Sequence, residues 1–205
     1  TNCTVDAACA SSLSAMKMAI SDLLEHRSDM MIAGGVDADN SPMMYMCFSK
    51  TPAFTSGDNP RPFDENSGGV MIGEGMGMVV LKRLEDAERD GDSIYAVIRG
   101  IGTSSDGKFK SIYAPRSGGQ AKALRRAYAD ADFAPQSIGL LEAHGTGTAA
   151  GDAAEFEGLK EVFTEDPSEK PGYPDFQHIA LGSIKSQIGH TKAAAGIAGL
   201  IKTTL

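Results

Sequence analysis

One cysteine and two histidines have neighbours that suit them to chemistry. Cys9 lies in VDAACASSL, His144 in LLEAHGTGTAAGD and His190 in KSQIGHTKAAAG. Cys9 directly precedes a helical pattern, and a helix N-terminus carries roughly half a positive charge, which favours a thiolate. Its small neighbours Ala7, Ala8, Ala10, Ser11 and Ser12 permit a sharp turn and leave room for a substrate. The other reading is a small buried hydrophobe, the usual fate of a free cysteine. Cys3 and Cys47 lack the helix-start context and read as structural.

His144 ends an expected strand, where α/β proteins place ligand sites. The Gly-Thr-Gly-Thr after it offers flexible backbone and the two hydroxyls of Thr146 and Thr148. His190 opens the last expected helix, with Lys185 five residues earlier. Strand ends and helix starts suit a pocket for a developing negative charge. Each histidine also fits a satisfied structural role or a place on the surface, and His26 and His178 are assigned the structural role. Neither glycine run is a nucleotide loop: HGTGT lacks the P-loop spacing and lysine, and IGEGMGM puts Met78 at the third glycine of a dinucleotide fingerprint.

The elements that position these residues follow from periodicity. Leu13, Met16, Ile20 and Leu23 recur at helical spacing, so residues 10–26 read as a buried helix. Residues 29–35 read as a short buried strand, 41–50 as a Met-rich helix and 51–66 as a loop. Strands are expected over 69–84, 93–102, 138–143 and 178–182. Helices are expected over 85–90, 119–130, 152–163 and 193–205. Residues 104–117 read as a crossing between two halves, and 167–174 as a surface loop. Alternating strands and helices place the chain in the α/β class with buried sheets.

The composition excludes several functions. Among 205 residues, 27 acidic against 19 basic give a net charge of −8, which disfavours nucleic acid. An acidic carrier protein stays compatible, docking on a local cluster such as Lys82 with Arg83 or Arg125 with Arg126. Three cysteines without CxxC spacing argue against a disulfide framework or a zinc site and fit a reducing cytoplasm. No apolar run approaches the ~20 residues that span a bilayer. The chain opens on Thr1 with no signal peptide and reads as a fragment.

VDAACASSL, EAHGTGTAAGD and GSIKSQIGHTKAAAG resemble, in order and spacing, the cysteine and two histidine motifs of β-ketoacyl synthases of the thiolase-like superfamily. RPFDENSGGVMIGEGMG, residues 61–77, resembles a fourth signature. Stand-alone elongation enzymes often carry glutamate nine residues past the second histidine. Here that residue is Gly199, a departure that favours ketosynthase domains of multidomain polyketide and polyunsaturated fatty acid synthases. The DAACASSL wording and the Met-rich segment look most like the bacterial polyunsaturated fatty acid synthases.

The resemblance implies a thiolase-like αβαβα layered fold, present here as a fragment. Residues 1–105 would end the first half, with the nucleophile, and 106–205 would begin the second, with both histidines. It implies that Cys9 accepts an acyl chain, that His144 and His190 stabilise the enolate of malonyl carrier protein, and that Lys185 orders His190 and the local charge. Thr146 and Thr148 would grip the pantetheine arm, while Asp152 and Glu155 read as structural residues at a helix start. It further implies no bound cofactor or metal, substrates carried on the phosphopantetheine of acyl carrier protein, and a homodimer in the complete domain. The fragment alone is expected to be inactive. A thiolase would need a late second cysteine, and a chain-length-factor-like partner would lack the nucleophile. A cysteine hydrolase would need an Asn or Asp orienting a histidine on Cys9.

Overall fold

The computed structural model describes residues 2–51, 53–108, 110, 111, 114–164 and 178–205; the loop expected at 167–174 lies outside them. Its helices are α1 (Ser11–Leu24), α2 (Pro42–Lys50), α3 (Leu84–Asp90), α4 (Ser117–Ala131), α5 (Ala149–Phe163), α6 (Lys185–Ile188) and α7 (Ala195–Thr204). Its strands are β1 (Met31–Asp37), β2 (Gly75–Leu81), β3 (Leu140–Glu142) and β4 (Ala180–Gly182). β1 and β2 pair antiparallel from Met31 opposite Leu81 to Asp37 opposite Gly75, and β3 and β4 pair parallel. No helix among the described residues is long and apolar enough to cross a membrane.

Local chemistry sets the boundaries. Ser41 caps α2, its Oγ accepting from Met44 N at 3.4 Å, with Pro42 opening the helix where its missing N–H is not needed. Thr148 caps α5 by accepting from Gly151 N at 3.1 Å. Gly91, with φ +71°, ends α3 in the left-handed conformation.

The core lies where α1 and α7 cover one face of the β1–β2 ribbon. Met16, Ala19, Ala33, Ala194 and Ile197 form it, with Met31, Val79, Leu81, Leu200 and Ile201 packed around them. Gly35 admits this closeness, since a Cβ there would sit 2.8 Å from both Ser12 Cβ and Ala193 O. Ser12, fully buried, accepts from Ile197 N at 3.0 Å and so satisfies a first-turn amide of α7 from the opposite helix. Leaving such a buried donor unpaired costs about 1–3 kcal/mol.

Several expectations need correction. The first strand is not buried on both faces: Ile32 is 67% exposed, and Met76, Met78 and Val80 share that open face with it. Residues 93–102, expected as a strand, form none. Among the described residues no strand lies beside them to complete a ladder, and they run against α4 instead. There Ile101 N donates to Asp130 Oδ2 at 2.9 Å, and a Cβ on Gly102 would fall 2.0 Å from Ala123 O. The strand expected over 69–84 shortens to β2, preceded by isolated bridges from Val70 to Phe54 and from Ile72 to His190.

The two basic pairs offered for docking serve as internal ties. Lys82 bridges Asp90 and Asp92 at 2.5 and 2.6 Å. Arg83 donates to Leu23 O and Ser28 O, closing the end of α1. Arg125 pairs with Glu161, and Arg126 donates to Thr103 O.

Candidate active site

Cys9 sits in a 3-10 turn, Ala8–Ala10, that leads into α1. Ala8 holds φ +50°, a left-handed conformation that costs a side-chain-bearing residue energy and needs bracing. Ser11 Oγ supplies the brace by accepting from Ala7 N at 2.9 Å and donating to Ala8 O at 2.7 Å. Asp6 Oδ1 accepts from Ala8 N at 3.0 Å. The small residues around Cys9 thus build a tight elbow. Burial pushes the Cys9 thiol up, and Lys185 pulls it part of the way back. The preformed thiolate expected from the helix start is therefore opposed by desolvation, which outweighs the nearby positive charge. Cys3 and Cys47 are both exposed rather than packed in a core.

His144 follows β3 and is positioned through its backbone. Glu155, on the second turn of α5, accepts from His144 N at 2.7 Å and from Gly145 N at 2.8 Å. Burial pushes the Glu155 carboxyl up, while these two amides and then Lys185 oppose that rise. Ser183 Oγ donates to His144 O at 3.3 Å from the end of β4. Asp152 accepts from Gly147 N at 3.0 Å and from Phe63 N at 2.7 Å, tying the 61–77 segment to the HGTGT loop. Both acids stand near the start of α5 as expected, but they act as cross-links between loops rather than as helix-start charges alone. His178 takes the structural place expected of it, with Nε2 2.6 Å from Gln136 O.

Thr146 and Thr148 both belong to the cap of α5, with their hydroxyls 2.9 Å apart and Thr146 Oγ1 accepting from Thr148 N. Two hydroxyls offer two donors and four acceptor positions, so the bonds within this cap leave one O–H donor for another partner.

His190 is 3% exposed. Its backbone is clamped to residues 71–73, with His190 N donating to Met71 O at 2.7 Å and Gly73 N to His190 O at 3.0 Å. Lys192 N donates to His190 Nδ1 at 2.9 Å. A nitrogen that accepts carries no proton, so the neutral ring bears its proton on Nε2.

The fold brings Cys9, His144 and His190 together from three separate loops. Among the described residues, their ligand-capable atoms all lie within 4.8 Å of one another. The two imidazoles stand edge to face, with centroids 5.4 Å apart and an interplanar angle of 87°. Lys185, 4% exposed, acts on the cluster through its charge; burial lowers its own ammonium, opposed chiefly by Glu155. The donor set has the composition of a transition-metal site, but the tautomer of His190 turns an N–H rather than a lone pair towards it. That arrangement suits a developing negative oxygen better than a cation.

Burial, and then Lys185, bring His144 down to about 4, although its outer surface stays open to solvent. Burial, and then the adjoining His144 ring and the positive charges of Lys185 and Lys192, bring His190 to about 3. Both rings are therefore neutral donors throughout the physiological range. A reaction that uses these rings as donors should show no histidine ionisation between about pH 8 and about pH 5. Stability moves differently. An unfolded histidine binds its proton near about pH 6.5 while these folded ones exclude it, so stability falls as pH drops through that value towards 4 and 3. Urea midpoints should thus be lower at about pH 5 than at about pH 7.5 while the rate per folded molecule holds. An inflection of the rate near about pH 6.5 would sink the neutral-donor assignment.

The family model "Beta-ketoacyl synthase, N-terminal domain" matches residues 1–87, and "Beta-ketoacyl synthase, C-terminal domain" matches residues 95–205. One polyunsaturated fatty acid synthase polypeptide of Thraustochytrium sp. is 52% identical over 204 residues, covering 100% of this chain and 7% of that protein. One phenolphthiocerol/phthiocerol polyketide synthase polypeptide of Mycobacterium tuberculosis is 42% identical over 201 residues, covering 98% of this chain and 10% of that protein. Among solved structures, the ketosynthase from module 6 of the bacillaene synthase of Bacillus subtilis superposes with a TM-score of 0.90 at 41% identity. It covers 98% of this chain and 35% of that chain. The chain therefore spans about a tenth or less of these curated relatives and about a third of the solved ketosynthase.

Proposed function

The chain belongs to the β-ketoacyl synthase family, with the thiolase-like layered α/β fold of its ketosynthase neighbours, and on that premise we propose that it carries the condensing centre of a multidomain polyunsaturated fatty acid or polyketide synthase. The observation that carries this reading is the convergence of Cys9, His144 and His190 within 4.8 Å from three distant segments.

Cys9 Sγ attacks the carbonyl of an acyl group carried on the phosphopantetheine of acyl carrier protein. The carrier thiol leaves and the acyl chain rests on Cys9. Because burial holds the Cys9 thiol up, the proton leaves as the sulfur attacks rather than beforehand and ends on the departing carrier sulfur. Malonyl carrier protein then binds with its thioester carbonyl between the histidines, and the free hydroxyl donor of the Thr146–Thr148 pair serves the pantetheine arm. As the C–CO2 bond breaks, its electron pair forms an enolate whose oxygen is held by the imidazole N–H groups. The enolate carbon attacks the Cys9 thioester, a C–C bond forms, and Cys9 leaves as thiolate. The acyl chain has gained two carbons.

Neutral histidines are required for this division of labour, since they donate hydrogen bonds without taking a proton. Lys185 and Glu155 balance one another beneath the site, the lysine keeping positive charge near Cys9 and the glutamate holding the His144 backbone. No bound cofactor enters the scheme, and the acyl carrier protein and a homodimeric partner belong to the complete synthase. A chain-length-factor-like role is disfavoured, because a shaping partner has no use for a cysteine set between two histidines.

The test incubates the complete synthase domain with an acyl-pantetheine thioester and maps acyl mass by peptide. Acylation confined to Cys9 is expected. Label spread evenly over Cys3, Cys9 and Cys47, or none, would favour the non-catalytic partner.

A further inference from the structure

Lys192 departs from what its backbone requires. Its φ is +48°, a conformation normally left to glycine, yet a long charged side chain stands there, 6% exposed. The ammonium is fully coordinated. Lys192 Nζ lies 3.0 Å from Asn40 Oδ1, 3.0 Å from Gly73 O and 3.0 Å from Asp37 Oδ1, one acceptor for each of its three N–H groups. These acceptors come from the end of β1, the loop after it and the segment before β2. Ala193 N adds a bond to Asp37 Oδ2 at 3.4 Å.

The consequence of this conformation is local. It aims Lys192 N at His190 Nδ1, and Gly73, whose carbonyl holds the ammonium, also donates its own N–H to His190 O. We propose that Lys192 is a positioning residue: its ammonium, anchored by Asp37, Asn40 and Gly73, holds residue 192 left-handed so that its N–H keeps His190 in the Nε2-protonated, donating tautomer. The inference rests on the enolate role given to His190 above.

The complete synthase domain would be prepared as Lys192→Met, Lys192→Gly and His190→Ala. CO2 release from malonyl carrier protein and acylation of Cys9 would be measured separately. Lys192→Met keeps the stem but loses the anchor, so decarboxylation turnover should fall about tenfold or more, as for other small misplacements of a catalytic group. The KM for malonyl carrier protein should change little. Lys192→Gly loses the same charge yet adopts the left-handed conformation without strain, so it should retain more decarboxylation than Lys192→Met. Both variants should acylate Cys9 alike. Equal decarboxylation in the two, or a parallel fall of decarboxylation and acylation, would overturn the positioning role. If Lys192→Met leaves Asp37 unpaired and the domain unfolds, the Lys192→Met/Asp37→Asn double variant removes that charge and must give the same split. If His190→Ala alone left CO2 release unchanged, the enolate role of His190 would fall, and this inference with it. Loss in His190→Ala with none in Lys192→Met would reject the positioning role only.

Discussion

Cys9→Ala should abolish condensation while CO2 continues to be released from malonyl carrier protein. Condensation needs the acyl group fixed on sulfur, and no neighbouring side chain replaces it, since Cys3 and Cys47 lie exposed elsewhere. In the proposed scheme the decarboxylation half needs only the pair of imidazole donors, and neither is held in position by the Cys9 side chain. His144 is held by Glu155 and Ser183, and His190 by residues 71–73 and the Lys192 amide. Removing the sulfur also removes bulk beside the malonyl carbonyl, so CO2 release should persist with the acyl acceptor gone. The measurement pairs release of labelled CO2 with product analysis on the carrier protein. Normal condensation in this variant would overturn the assignment of the nucleophile.

His190→Ala should cut decarboxylation about 10²–10³-fold, or about 3–4 kcal/mol of transition-state stabilisation, the usual cost of deleting one oxyanion donor. The ring is buried and lowered to about 3, so it acts as a neutral N–H donor and no proton transfer is lost with it. Acylation of Cys9 should change much less, because that step builds its negative charge on a different carbonyl. His144→Ala should show the same asymmetry. A single-turnover experiment separates the steps: acylation followed by mass, decarboxylation by CO2. Equal loss of both in either variant would argue that the histidine serves Cys9 or the fold rather than the enolate.

Much of this site is legible in the sequence because it is encoded locally. Cys9 in a run of small residues, His144 before Gly-Thr-Gly-Thr and His190 before a small-residue helix each carry their context within a dozen residues. Less legible were the groups that act at a distance. Glu155 reads as a helix-start acid, and its grip on the His144 amide exists only because α5 folds back beneath the HGTGT loop. Nothing in its local sequence marks Lys192, because its partners Asp37 and Asn40 are more than 150 positions away. Residues 93–102 have strand-like side chains, yet strand identity requires a neighbouring ladder that side-chain pattern does not supply.

The sequence by itself therefore determined the reactive residue types, the helices that present them and the family to which they belong, since periodicity, capping and motif spacing are short-range properties. Only the tertiary structure decided what state those residues occupy. Burial raises the Cys9 thiol against the pull of Lys185, desolvation keeps both imidazoles neutral, and a backbone N–H selects the tautomer of His190. Desolvation and hydrogen-bond direction depend on which distant atoms surround a group, and that information exists only once the chain has closed around it.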